Sequence, residues 1–273
     1  MPHLPRETAS RLGHETIAIL REGRYTSSGG VRVDFRVKLD HAVKNTTEYP
    51  PDRGVEVDPR LGVSPRISVE NQTVLDVGRR LVRDGPVAAL NFASPTSPGG
   101  GFLSGARAQE EAIARSSGLF ACLEHRAMYD FHRARPDAMS THYVIHSADV
   151  PVFRTDDGDL LDEPWLMSII SCPAVNQVAL SRYAPKLLGE IPLVMMERAR
   201  KVLATAVHHE HRRLILGAWG CGAFGIQSAV MAAIFAELLA TTFAEAFELV
   251  AFAIADWSEE QRFIGPFENA FAR

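Results

Sequence analysis

Residues 86–111 read PVAALNFASPTSPGGGFLSGARAQEE, and the succession of residue types in this stretch sets the architecture. PVAALNFAS (86–94) is a short, nearly continuous apolar run, as expected of a strand buried on both faces. Gly99, Gly100 and Gly101 follow; consecutive glycines let backbone approach a ligand without interference from Cβ, at an entropic cost in folding. Gln109, Glu110 and Glu111 then open AQEEAIARSSGLFACLEHRAMYDFH, which reads as a long helix broken at Gly118. Strand, loop and helix in this order are the repeating unit of an α/β sheet.

The pattern continues downstream. HYVIHSADVPVF (142–153) and WLMSIISCPAV (165–175) read as buried strands, separated by a turn over Thr155–Asp159. A helix over MMERARKVLATAVHHE, the strand RRLILGAW (212–219), a helix over IQSAVMAAIFAELLATTF and the strand FELVAFAIAD (247–256) complete it. Strands separated by helices imply a mostly parallel sheet covered on both faces. Upstream, residues 7–22 have helical spacing, VRVDFRVKL (31–39) alternates as a strand does, and residues 45–65 read as an irregular excursion. ISVEN (67–71) is a short strand, and Thr73 is placed to cap the helix that follows. Residues 1–85 therefore read as an accessory extension packed on a core of residues 86–273, the two forming one structural unit.

Composition excludes several classes. The chain has 273 residues, 46% hydrophobic and 23% charged, with a formal net charge of −4, as an ordinary globular protein does. That charge argues against a cationic nucleic-acid or membrane binder. No apolar run reaches the ~18 residues of a membrane span, and the first twenty residues do not have the pattern of a signal peptide. Cys122, Cys172 and Cys221 are odd in number and form no CxxC pair, which fits a reducing, cytoplasmic compartment.

A second glycine loop, Gly217-Ala218-Trp219-Gly220-Cys221-Gly222-Ala223-Phe224-Gly225, lies between a buried strand and a helix and satisfies GxGxxG. Backbone N–H groups and a helix N-terminus in such a setting make an anion-binding concavity. A full dinucleotide fingerprint is not met: Gly225 lies too near the last residue, and Asp256 falls well beyond the ~20-residue spacing. His208, His209 and His211 read as a solvated helix end, and no group has convincing metal-ligand spacing. HExxH, GxSxG and the P-loop string are absent. Cys221 reads as a small packing residue, Trp165, Trp219 and Trp257 as core or pocket wall, and Thr46–Tyr49 as a candidate adenine wall.

GGG, seven residues and QEE, with a later GAWGCGAFG loop, resemble the bacterial-type poly(ADP-ribose) glycohydrolases of the macrodomain superfamily. The family motif is GGG, six to eight residues, then QEE, and Gly99 to Glu111 fit it. NFAS (91–94) and DVPVFR (149–154) also look like family segments, and the resemblance covers roughly residues 15–256. It implies a macrodomain-like α/β fold: a mixed, mostly parallel sheet sandwiched by helices, with an N-terminal α+β extension. It further implies hydrolysis of ribose–ribose O-glycosidic bonds in poly(ADP-ribose), mainly from the free end, releasing ADP-ribose without a cofactor or metal. Poly-ADP-ribosylated proteins are the implied partners, with no direct nucleic-acid or membrane binding.

By this resemblance Glu111 matches the catalytic glutamate, acting as general acid and then activating water. Glu110 matches its neighbour, which holds ribose hydroxyls and orients the scissile bond, and Gln109 supports the same turn. Gly99, Gly100 and Gly101 would pass close to the terminal ribose and phosphate. Gly220, Cys221, Gly222, Ala223, Phe224 and Gly225 would supply amides to the diphosphate, with Phe224 packed on the ribose. Ser97 and Ser104 stand where the family favours Asn, and Ala223 where it favours Val. Glu110 and Glu111 are about 100° apart on a helix, so they cannot easily flank one bond, and a single carboxyl serving as acid and base is the natural account. A non-catalytic ADP-ribose-binding module would keep both glycine loops but would not need both glutamates. A hydrolase of mono-ADP-ribosyl linkages is the other alternative.

Overall fold

The computed structural model describes residues 4–57 and 62–272. The chain opens with helix α1 (Arg6–Glu22), closed by Gly23 in the left-handed conformation, and a two-stranded ribbon, β1 (Arg24–Thr26) and β2 (Arg32–Asp34). The alternation over 31–39 ends there: Arg36–Lys44 is helix α2. Phe35, Leu39 and Ala42 follow one another at helical spacing and are buried, whereas Val37, inward-facing in a strand, is 82% exposed. The same apolar residues satisfy both periods, and Ala42 beyond them decides for the helix.

Next come β3 (Thr46–Tyr49), β4 (Arg66–Glu70) and α3 (Val74–Leu81). Thr73 caps α3 by accepting from the Asp76 N–H at 3.1 Å. After β5 (Ala88–Ala93) and the first glycine loop, the expected long helix divides into α4 (Gln109–Ser116), α5 (Leu119–Leu123) and α6 (Ala127–Arg133). The first break falls where expected. Ser117 is extended and bridges to Val152, Gly118 N–H donates to Pro151 C=O at 2.8 Å, and a Cβ on Gly118 would lie 2.8 Å from Leu39.

β6 (Val144–Arg154) and β7 (Leu160–Pro173) form an antiparallel hairpin closed at residues 155–159. Then α7 (Gln177–Tyr183), α8 (Ile191–His208), β8 (Arg213–Leu216), α9 (Ser228–Ala240), β9 (Leu249–Ala253) and α10 (Gly265–Phe271) follow. The main sheet has seven strands in the order β3-β6-β7-β5-β8-β9-β4. β3, β6 and β7 pair antiparallel, and the rest pair parallel. Successive β5 side chains feed opposite faces: Ala88 and Leu90 join the core under α8 and α9, Ala89 and Ala93 the core under α3 to α6.

Residue 85 does not separate an appendage from a sheet, because β3 and β4 from the first segment form both edges of that sheet. α1, the β1–β2 ribbon and α2 precede it in the chain and lie outside it, and α3 follows β4. No helix among the described residues is long and apolar enough to cross a membrane.

Candidate active site

β5 pairs with β7 along its whole length but with β8 only at Ala88 and Ala89. Beyond that point Leu90 C=O and Phe92 N–H face a strand that has turned away. The Gln109 side chain fills the gap, donating from Nε2 to Leu90 O at 2.6 Å and accepting at Oε1 from Phe92 N–H at 2.9 Å. A primary amide carries the donor and acceptor that this break in the ladder requires. It pins the first turn of α4 to the end of β5.

The next two residues turn to the glycine loop. Glu110 Oε2 accepts from Ser94 N–H at 2.7 Å, and Glu111 Oε1 accepts from Gly101 N–H at 2.9 Å. Their other oxygens, Glu110 Oε1 and Glu111 Oε2, are buried without a partner among the described residues. Burial, reinforced by the neighbouring Glu111 charge, pushes the Glu110 carboxyl well above the usual carboxylate range, against the Ser94 amide and the Asn91 side chain, which favour its charged form. Gly100 explains the glycine run. Its φ is +61°, and a Cβ there would overlap Glu111 Oε1 and lie 2.9 Å from Glu110 Oε2. Both carboxylates converge on that one position and do not face each other across a cleft.

The second loop divides its glycines. Gly220 and Gly225 are left-handed (φ +77° each) and face packed side chains: a Cβ would lie 2.8 Å from Ala174 and Ile226 at the first, 2.7 Å from Val178 at the second. Gly222 has open space around its Cβ position and lines a cleft of about 320 Å³. The turn is closed by Cys221 N–H to Ala218 O, Gly225 N–H to Gly222 O and Ile226 N–H to Gly220 O. That leaves the N–H groups of Gly222, Ala223 and Phe224 without a partner among the described residues. Helix α9 starts only at Ser228, so any anion cradle here is made of turn amides, not of the helix N-terminus read from the sequence. Ala223 is exposed, and Phe224 is half-buried against the core around Trp219.

Gln109, Ala112, Phe92 and Ala218 form the floor of the cleft, and Gln72, Ile254, Trp257 and Phe263 its far end. That end is built around Asp256. Its Oδ1 accepts from Ser258 N–H at 3.0 Å, and its Oδ2 from Phe263 and Ile264 N–H at 2.6 and 3.1 Å. Asn71 in turn holds the Asp256 backbone on both its N–H and C=O.

Residues 13–155 match the family described as "Microbial-type PARG, catalytic domain". The poly(ADP-ribose) glycohydrolase (PARG) of Thermomonospora curvata is 41% identical, with a TM-score of 0.91 over 97% of this chain and 100% of that one. The chain belongs to this family. A Thermomonospora curvata structure bound to the inhibitor ADP-HPD is 42% identical over the same coverage, TM-score 0.91. The Deinococcus radiodurans enzyme in complex with ADP-ribose is 37% identical, TM-score 0.82, over 86% of this chain and 97% of that one. No curated protein matches the chain. The macrodomain-like fold and the poly(ADP-ribose) glycohydrolase activity implied by GGG…QEE hold.

Several features of this glycohydrolase lie outside the motifs. The Cys221 thiol is buried and pushed up to about 12, as fits a packing residue, and Trp219 is wholly buried while Trp257 is half exposed on the cleft. Thr46–Tyr49 is an edge strand beside β6 and is not among the cleft-lining residues; Trp257 and Phe263, just beyond the last parallel strand, are. Of the histidines only His208, exposed at the last residue of α8, is the solvated helix end expected; His209 and His211 are half-buried. His209 stacks on His146 of β6 at 3.5 Å, and His146 Nε2 lies 2.8 Å from His211 Nε2.

Proposed function

We propose that Glu111 is the general acid and base of poly(ADP-ribose) hydrolysis in this chain. The observation that carries this reading is the asymmetry of its carboxyl: Oε1 is fixed by the Gly101 amide, and Oε2 has no partner among the described residues. One oxygen sets the orientation and the other is left for substrate. Glu111 protonates the departing ribose oxygen as the glycosidic C–O bond breaks, then takes a proton from the water that attacks the oxocarbenium-like carbon. Hydrolysis is balanced by that single water. Glu110, held by Ser94 and kept neutral over a wider pH range than a free carboxyl, hydrogen-bonds the ribose hydroxyls through Oε1.

The turn amides of Gly222 to Phe224 take the diphosphate, and the distal ribose lies against Gly99 to Gly101 with Phe224 on its other side. Adenosine occupies the end of the cleft lined by Gln72, Trp257 and Phe263. This orientation favours cleavage from the free end of the polymer, releasing ADP-ribose, with poly-ADP-ribosylated proteins as the source. The test is Glu111→Gln, which keeps shape and removes the transferable proton. Turnover on labelled polymer falls by at least ~10²-fold while ADP-ribose still binds in calorimetry. Near-native turnover would overturn the assignment.

A further inference from the structure

Helix α1 lies outside the sheet, yet its contacts run to the segment that links GGG to QEE. Ser10 Oγ donates to Leu103 C=O at 2.6 Å, and Arg6 Nε donates to Ser104 C=O at 3.0 Å. Gly13 of α1 is pressed against the same turn so closely that a Cβ would lie 2.7 Å from Phe102 O. Gly105 is its counterpart: it is left-handed, and a Cβ there would collide with Arg6 C=O. These are backbone-to-backbone approaches with no flexible side chain to absorb a change.

The turn they hold is the support of Gly101. Ser104 N–H, Ser104 Oγ and Ala106 N–H all donate to Gly101 C=O, at 3.0, 2.9 and 3.1 Å. On its other side Gly101 donates its N–H to Glu111 Oε1. Residue 101 is thus clamped between a turn seated on α1 and the glutamate. The far end of α4 is tied to the same helix, because Thr16 Oγ1 donates to Arg115 C=O at 2.6 Å and Arg154 donates to Leu12 C=O and Arg115 C=O.

We propose that α1 is a positioning element of the active site, with Ser10 and Gly13 as its positioning residues: they seat the Phe102–Ser104 turn, which sets the Gly101 amide that orients Glu111. The proposal rests on Glu111 being the acid and base. A segment that looks like an appendage in sequence is then a back wall of the catalytic loop, and its worth is read in turnover and not only in stability.

The test compares four variants by kcat on labelled polymer, ADP-ribose affinity and Tm. Gly13→Ala keeps the helix, since Ala is the better helix former, and pushes on the Phe102 carbonyl; kcat falls at least ~10-fold, because small misplacements of catalytic groups are costly, while ADP-ribose affinity changes less than ~3-fold. Ser10→Ala lowers kcat in the same sense, and Ser10→Thr, which keeps the hydroxyl, restores it. Ile19→Ala loosens α1 on its other side, against Phe35 and Phe153, and lowers Tm with kcat per folded molecule unchanged. Wild-type kcat in both Gly13→Ala and Ser10→Ala overturns the proposal, and so does an equal loss of kcat in Ile19→Ala, which would make α1 mere ballast. Should Gly13→Ala fail to fold, the Ser10 pair decides alone. Activity in Glu111→Gln, measured alongside, would instead break the acid–base assignment, an outcome distinct from inactive Glu111→Gln with fully active α1 variants.

Discussion

Replacing Gly100 with alanine tests the central contact of the site. Gly100 sits at φ +61°, a conformation that costs an L-residue about 1–2 kcal/mol more than glycine. The new Cβ overlaps Glu111 Oε1 and lies 2.9 Å from Glu110 Oε2, so both carboxylates must move. Moving Glu111 breaks its 2.9 Å bond to Gly101 N–H, a charge-assisted contact of the kind that contributes about 1.5–3 kcal/mol. The sum is about 2.5–5 kcal/mol, and at about 2–4 °C per kcal/mol for a chain of this size Tm falls by roughly 5–20 °C. The kinetic effect is larger, since an ångström of misplacement costs about 10²-fold in rate. The assay is ADP-ribose release from labelled polymer at saturating substrate, with ADP-ribose affinity followed by calorimetry. Turnover drops about 100-fold, and affinity moves less than turnover because the proposed diphosphate amides are on the other loop. Wild-type turnover in a folded Gly100→Ala protein would refute the reasoning.

Three further outcomes follow from the same geometry. Gly222→Ala has open space for its Cβ, so Tm is unchanged within about 1 °C while ADP-ribose affinity weakens about 10-fold, as expected where backbone must approach a ligand; undiminished affinity would remove Gly222 from the cradle. Phe224→Ala loses half-buried packing, so Tm drops a few degrees, and kcat falls more than ADP-ribose affinity; unchanged kcat per folded molecule would make the ring a plug. His146, His209 and His211 are pushed down to about 2, 4 and 4, chiefly by burial and then by the charges of neighbouring histidines, His208 among them. The unfolded chain therefore binds more protons below its ordinary His value near 6.5, so stability is full above that pH and falls from about pH 6.5 towards 4. Thermal unfolding at pH 7 and pH 5 checks this, and a His211→Gln variant with an undiminished slope would contradict it.

What the sequence revealed depends on how local each contact is. The strand, the GGG loop and QEE are contiguous, so their partnership could be read directly. The task of Gln109 could not, because it depends on where β8 leaves β5, a fact of the sheet's register. β3 and β4 are four and five residues long, and each pairs with a strand far along the chain, so nothing local marks them as sheet edges. Within GxGxxG, only the packing of Ala174, Ile226 and Val178 separates the two glycines needed by the turn from the one open to the cleft. The aromatic end of the cleft was hidden for the same reason. Trp257 and Phe263 line the same cleft, and Asp256 fixes the segment between them by gathering the amides of Phe263 and Ile264, whereas the string alone makes Asp256 the end of a strand.

The contiguity of Gln109, Glu110 and Glu111 has a geometric cause. Successive residues of a helix point about 100° apart, so three in a row at its first turn address three different neighbours. Gln109 meets the open edge of β5, Glu110 the Ser94 amide, and Glu111 the Gly101 amide. Inserting one residue would rotate all three off their partners together. The first turn is also where a helix accommodates acidic groups, since its free N–H groups and dipole favour negative charge, and Ala108 supplies no side-chain cap to compete for them. Two carboxylates on one side of the bond leave no partner across it. On the proposed reading the division of labour is between holding and proton transfer: the more buried Glu110 would hold, and Glu111, with one oxygen fixed and the other without a partner among the described residues, would move the proton.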